Sequence, residues 1–141
     1  MKVAIVCDWL TNLGGDFQVV STLHSIFPEA PIFTTIYNPI FPELKDAKIT
    51  TTFLQKWPGA KDRHQFLIPL MPMAIEEFSF KGFDLVISSS HTVGKGIIVE
   101  PGTFHISYSH TPVRWAWEPE IDNLKKRVPF LPNFLIKRLI E

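Results

Sequence analysis

Polar residues that can bind an anion or move a proton follow three apolar runs of this 141-residue sequence. After the first run come the polar segment Asp8–Asn12 and the glycines Gly14 and Gly15, which open onto a helical pattern. Glycine allows another group to approach the backbone closely, and the free N–H groups of a helix start attract anions. The same segment also fits an ordinary tight turn between a strand and a helix, so the glycine pair alone leaves both interpretations open.

Two later apolar runs end in residues of comparable chemistry. One is followed by Ser90 and His91, and the next by His110, with Arg114 four residues beyond it. A histidine donates or accepts a proton near neutral pH, and an arginine suits a charged oxygen group. Each residue taken alone also fits a structural role. Together they predict one shared crevice, because ligands bind beyond the carboxyl ends of the strands in open α/β sheets.

The elements that carry these residues predict an α/β fold with an open, mostly parallel sheet and helices on both faces. The continuous apolar run Val3–Cys7 is typical of a buried parallel strand. Apolar residues at steps of three and four predict a helix over residues 16–27. Prolines interrupt the later helical pattern, so two or three short helices are expected between residues 55 and 80. The other strands are predicted over residues 32–37, 48–53, 83–88 and 103–109, and residues 97–99 fit either a strand or a loop.

Composition limits the classes of function that are open to the chain. Its length predicts one domain, and 14 basic residues balance 14 acidic ones, which argues against general nucleic-acid binding through a basic surface. The single cysteine, Cys7, excludes an internal disulfide and is expected to be a small buried residue. The five histidines lack metal-ligand spacing, so we predict neither a metal nor a cofactor. Without a membrane-spanning run or a signal peptide, the cytoplasm is the expected location.

The C-terminal segment combines basic and apolar residues. Between Leu124 and Ile140 the sequence has five basic residues and no acidic one. This composition is typical of a segment that contacts an anionic membrane surface, and it also fits the solvated face of an ordinary helix. Peripheral contact with the inner face of the cell membrane is therefore one of two open hypotheses. The helical pattern continues to Glu141, which favours a chain that is part of a longer protein.

A series of short motifs runs along nearly the whole chain. The motifs are KVAIVCDWLTNLGG at 2–15, YNP at 37–39, FLQK at 53–56, LMP at 70–72, DLVISSSH at 84–91 and HTP at 110–112, with Arg114 and Trp117 beyond them. In these motifs and their order the chain resembles the N-terminal half of bacterial family-4 glycosyltransferases, the retaining group with the GT-B fold. Within that group it is similar to the mannosyltransferase-like enzymes of surface-polysaccharide assembly.

The resemblance implies a Rossmann-like domain that spans residues 1–141 and forms the acceptor-side wall of a cleft. The family's second domain, which binds the nucleotide, is absent from this sequence. The implied reaction moves a mannose-like hexose from a GDP- or UDP-sugar to a saccharide or lipid-linked acceptor, and it does not strictly require a metal. Because transition-state stabilisation needs groups from both walls of the cleft, the chain alone is expected to be inactive.

The resemblance also assigns residues to roles. His110 matches the histidine that contacts the transferred sugar near the reaction centre, and it is the predicted catalytic residue. Gly14 and Gly15 match the loop that approaches the donor diphosphate, and Arg114 is assigned to the donor side with them. The predicted acceptor-side residues are Asn12, Ser90 and His91.

Two departures from the family motivate a competing hypothesis. Asp16, Phe17 and Gln18 follow the glycine pair, where many relatives have a small residue, Glu and Arg, and Cys7 stands where relatives often have His. An acid at Asp16 could occupy the helix start that a phosphate needs, and it would repel an anionic donor. The competing hypothesis is a stand-alone, non-catalytic domain that binds a glycan, a lipid-linked sugar or a protein partner. A third, at the level of the fold alone, is a flavodoxin-like nucleotide-binding protein.

Overall fold

A five-stranded sheet forms the centre of residues 1–111, the part of the chain that the structure, a computed structural model, describes. In chain order its strands are β1 (Val3–Cys7), β2 (Ile32–Thr34), β3 (Ile49–Thr51), β4 (Leu85–Ser90) and β5 (Phe104–Ser109). Across the sheet their order is β3-β2-β1-β4-β5, and every neighbouring pair is parallel. The predicted α/β class with an open, Rossmann-like sheet is confirmed.

Helices lie on both faces of this sheet. The first, α1 (Gly15–Ile26), begins and ends one residue before the predicted boundaries. Between β3 and β4 the chain forms α2 (Ala60–Arg63) and α3 (Met71–Ile75), separated by a 3₁₀ segment. Pro69 lies inside that 3₁₀ segment, and its missing N–H prevents one continuous α-helix. The prediction of several short helices is therefore confirmed.

Alternate side chains of β1 enter two separate hydrophobic cores. Ile5 and Cys7 pack with Phe17 of α1 on one side of the sheet, which we call the α1 face. On the opposite face Ala4 and Val6 pack with residues of α2 and α3. Burial of a large apolar side chain contributes about 1.5–3 kcal/mol, so this double burial holds β1 at the centre of the sheet. The carboxyl end of β1 is thereby fixed in position.

Strand β2 ends at Thr34, three residues before the predicted end at residue 37. Beyond it, only an isolated bridge between Leu10 and Tyr37 continues the strand pairing. The side chain of Gln55 hydrogen-bonds to both backbone groups of Tyr37. Its Oε1 accepts from the N–H at 2.7 Å, and its Nε2 donates to the C=O at 3.1 Å. A side-chain amide thus replaces the neighbouring strand at this position.

Strand β4 runs to Ser90, two residues beyond the predicted end, because its last residues pair with β5. Within the described sheet β5 is an edge strand with exposed apolar side chains at Phe104, Ile106 and Tyr108. Residues 97–99 form a loop and not a strand.

No helix within residues 1–111 is long and apolar enough to cross a membrane. Arg114 and the basic segment 124–140 lie outside the described residues, so their predicted roles stay predictions. The same holds for a single domain over the whole chain.

Candidate functional site

The carboxyl ends of β1 and β4 lie at the topological switch point of the sheet. The chain leaves β1 for β2 on one side, whereas β4 lies on the other side of β1. Open α/β proteins bind ligands in the crevice that forms at such a point. Asp8 directly follows β1, His91 directly follows β4, and His110 follows β5 one strand further on.

The carboxylate of Asp8 links β1 to the loop that follows β4. Its side chain is buried, with 2% of its surface exposed. Six donors surround its two oxygens. Oδ1 accepts from Ser90 Oγ at 2.7 Å and from the N–H groups of Val93 at 2.9 Å and Gly94 at 2.6 Å. Oδ2 accepts from the N–H groups of His91 and Thr92, both at 2.8 Å, and lies 3.0 Å from His91 Nδ1.

These contacts keep Asp8 charged. Burial raises the pKa of its carboxyl group, but hydrogen bonds from His91, Gly94 and Ser90 outweigh burial and lower the pKa to about 2. Converging backbone N–H groups of this kind form a concavity suited to an anion. Here the protein fills that concavity with its own carboxylate, so these N–H groups are not available to a ligand.

Position 94 favours glycine, because the backbone there lies too close to Asp8 for a side chain. A Cβ at this position would lie 3.1 Å from Asp8 Oδ1 and 3.2 Å from Ser90 Cβ, and neither neighbour is free to move because both belong to the hydrogen-bonded cluster. A Cβ on Gly96 in the same loop would meet no atom within 4 Å.

We therefore expect Gly94→Ala to lower the free energy of unfolding by about 1–3 kcal/mol, the usual cost of overpacking. The matched variant Gly96→Ala is expected to stay within about 0.5 kcal/mol of the parent chain. Urea unfolding followed by circular dichroism measures both values. Equal effects of the two substitutions would contradict the tight packing around Asp8.

His91 is the exposed partner of this buried carboxylate. Its side chain is 32% exposed, and its ring meets the ring of Trp9 edge-on, with centroids 4.8 Å apart. Because Nδ1 faces Asp8 Oδ2, Nδ1 carries a proton in both charge states of the ring. The hydrogen bond to Asp8 raises the pKa of His91 above its ordinary 6.5, against the opposing effect of burial.

The raised pKa of His91 predicts how the stability conferred by the pair depends on pH. This contribution is fully present below 6.5, the unfolded value, and is lost as pH rises through the folded pKa. The unfolding free-energy difference between the parent chain and His91→Gln should therefore shrink from about pH 6 to about pH 9. Urea titrations at both pH values measure it, and a constant difference would rule out the charged pair.

A second histidine lies on the same aromatic residue. His64 is buried, its Nδ1 lies 3.3 Å from Thr11 Oγ1, and its ring centroid is 4.9 Å from that of Trp9. Burial lowers the pKa of His64, whereas the pKa of His91 is raised. The sequence carried no signal for His64, because 53 residues separate it from Thr11.

His110 is held by a serine of the neighbouring strand. Its Nε2 lies 2.8 Å from Ser89 Oγ, and its ring centroid is 5.0 Å from that of Tyr108. The next serine along β4 makes a matching pair, since Ser88 Oγ lies 2.8 Å from His105 Nε2. Successive strand residues point to opposite faces, so Ser89 lies on the α1 face and Ser88 on the other. Burial lowers the pKa of His105.

The predicted donor loop lies at the start of α1. Asn12, Gly14 and Gly15 are exposed, and Gly14 precedes the helix with an extended backbone, φ −136° and ψ −178°. The carboxylate of Asp16 folds back over this point: its Oδ1 accepts the N–H of Phe17 at 2.9 Å and would lie 2.6 Å from a Cβ on Gly14. An acidic group thus lies at the helix start, where a phosphate would need to bind.

Of the predicted acceptor-side residues, Ser90 is fully buried and its hydroxyl donates to Asp8, whereas Asn12 is exposed and His91 partly so. The side chain of Ser90 therefore bonds to the Asp8 carboxylate inside the protein and does not face solvent. Arg114, assigned to the donor side, lies outside the described residues.

No family model, curated protein or solved structure matches the chain. Function is therefore inferred from the residues and their geometry.

The site offers proton transfer and hydrogen bonding rather than thiol or metal chemistry. Burial raises the pKa of the Cys7 thiol to about 12, which keeps it protonated and unreactive. Residues 1–111 contain no grouping of three histidine, cysteine or acidic side chains that could hold a metal ion. The groups that remain are the imidazoles of His91 and His110 and the backbone at the start of α1.

Proposed function

We propose that the chain is the acceptor-side domain of a retaining glycosyltransferase. With a second, nucleotide-binding domain it moves a mannose-like hexose from a GDP- or UDP-sugar to a saccharide or lipid-linked acceptor. The observation that carries the proposal is the fixed ring of His110 at the carboxyl end of β5, held by Ser89 on the α1 face. The order of the motifs along the chain supports it.

In the proposed mechanism Ser89 orients the imidazole of His110. With Nε2 engaged by the serine at 2.8 Å, Nδ1 is the ring atom left to hydrogen-bond a hydroxyl of the transferred sugar. The backbone at Gly14 and Gly15 meets the donor diphosphate, and the exposed amide of Asn12 meets the acceptor. The nucleotide diphosphate leaves while the acceptor hydroxyl attacks the same face of the sugar. The second domain completes the stabilisation of the transition state, so the chain alone does not turn over.

The test is a sugar-transfer assay on the product of the complete coding sequence, with GDP-mannose, UDP-glucose and other nucleotide sugars as donors. Transfer by the two-domain product, and none by residues 1–141 alone, is the expected result. Absence of a nucleotide-binding domain, both in the coding sequence and in a partner gene, would overturn the proposal.

The position of Asp16 favours a second candidate, a non-catalytic domain that binds a glycan, a lipid-linked sugar or a protein partner. Its carboxylate lies against the helix start and repels an anionic donor. Saturable glycan binding by the complete protein, without transfer from any nucleotide sugar, would favour this candidate. Sugar transfer by the isolated chain would exclude it.

A further inference from the structure

We propose that His91, held by Asp8 at the switch point between β1 and β4, binds an anionic oxygen of the phosphate type. Its identity as a phosphate of the sugar donor or of a lipid-linked acceptor rests on the proposed function. The binding chemistry itself rests on the geometry of the two side chains.

The Asp8 carboxylate is fully occupied by donors of the protein itself. Its two oxygens accept from four backbone N–H groups of the loop after β4, from a serine hydroxyl and from His91 Nδ1. The loop therefore has no free N–H among residues 91–94 with which to hold a ligand. The group of this cluster that reaches solvent is the imidazole of His91, which is partly exposed.

The contact with Asp8 decides which nitrogen of the His91 imidazole can meet a ligand. Nδ1 keeps its proton against Asp8, and within residues 1–111 no group hydrogen-bonds to Nε2. When the ring is protonated, Nε2–H is a charged donor, and charge-assisted hydrogen bonds to anionic oxygens are about twice as strong as neutral ones. The buried carboxylate fixes the ring orientation, as second-shell carboxylates fix histidines elsewhere.

Charged side chains surround the His91 ring. Asp8 and Asp16 favour its protonated form, and Lys95 in the loop after β4 disfavours it. His64, whose ring also contacts Trp9, has a pKa lowered by burial and therefore adds little competing positive charge. Lys95 is exposed and adds attraction for an anion, whereas Asp16 opposes it. A single protonated ring with these neighbours suits an anion that is held by one strong contact.

The experiment follows the histidine ring signals of the isotope-labelled 141-residue chain by NMR while sulfate is added. Sulfate keeps its double charge from about pH 6 to about pH 9, so any change in its affinity reflects a change in the protonation of the protein. We expect a saturable shift of the His91 signal and an affinity about tenfold or more lower at the higher pH. The ring of His105, which lies 2.8 Å from Ser88 Oγ and makes no contact with Asp8 or Trp9, is the internal reference and should not respond.

Two variants and three phosphate ligands complete the design. His91→Gln retains a donor for Asp8 and should lose sulfate binding, whereas Thr92→Val keeps its N–H contact with Asp8 and should bind sulfate normally. Titration with GDP and UDP, compared with geranyl phosphate, then identifies which phosphate source shifts His91.

Three outcomes would overturn the inference. They are an unshifted His91 signal, sulfate affinity that is independent of pH, and an equal response to methyl mannoside, which is neutral. Any of them alongside intact sugar transfer would leave the proposed function standing, whereas sulfate binding without transfer would support the anion site and count against the glycosyltransferase.

Discussion

Asp8→Asn is expected to lower the free energy of unfolding by about 3 kcal/mol or more, although the two side chains have nearly the same shape. The substitution turns one carboxylate oxygen into an NH₂ group. Whichever oxygen is replaced, two backbone N–H groups of the loop after β4 lose their acceptor and face another donor. Each buried N–H left without a partner costs about 1–3 kcal/mol.

This loss is a substantial fraction of the total stability of a domain, which is about 5–15 kcal/mol. Urea unfolding monitored by circular dichroism gives the value directly. The matched control is Asp46→Asn, since Asp46 is exposed and its side chain makes no hydrogen bond within residues 1–111; it should change stability by less than about 0.5 kcal/mol. A comparable small effect at Asp8 would show that the cluster contributes little to folding.

Loss of these hydrogen bonds would also affect the His91 ring. The backbone N–H groups that donate to Asp8 Oδ2 belong to His91 and to the next residue, Thr92. When they lose their acceptor, the position of the His91 ring and its tautomer are no longer imposed. Asp8 therefore acts as a positioning residue, and stability and ligand binding at the switch point depend on the same carboxylate.

The central elements could be predicted because their signals are local. Continuous apolar residues mark β1, and apolar steps of three and four mark α1, so both were predicted almost to the residue. The ends of β2 and β4 were wrong because they depend on distant partners. Gln55 takes the place of a strand beside Tyr37, and β5 pairs with the last residues of β4.

The site was predicted less completely for the same reason. The polar segment after β1 fitted an ordinary turn or an anion site, but more than 80 residues separate Asp8 from the groups whose hydrogen bonds it accepts. No sequence spacing reports such a contact. Ser90 has the residue type of a ligand contact, yet its neighbour in space is the Asp8 carboxylate, and only the folded chain reveals this.

His110→Ala in the proposed two-domain protein is expected to lower kcat/KM about 100-fold or more, because the proposed mechanism places this side chain at the reacting sugar. The change in unfolding free energy should be about 1 kcal/mol, since the lost interaction is one partly buried hydrogen bond to Ser89. The assay measures sugar transfer and urea unfolding on the same preparations.

His105→Ala is the control that separates chemistry from structure. It removes an imidazole from β5, the strand that ends just before His110, and breaks a bond of the same length, 2.8 Å from a histidine Nε2 to a serine Oγ, but on the opposite face of the sheet. The two substitutions should therefore lower stability to a similar extent, whereas only His110→Ala should abolish most of the turnover. If both lowered activity in proportion to stability, His110 would be a structural histidine, because a shared loss of packing would then account for both results.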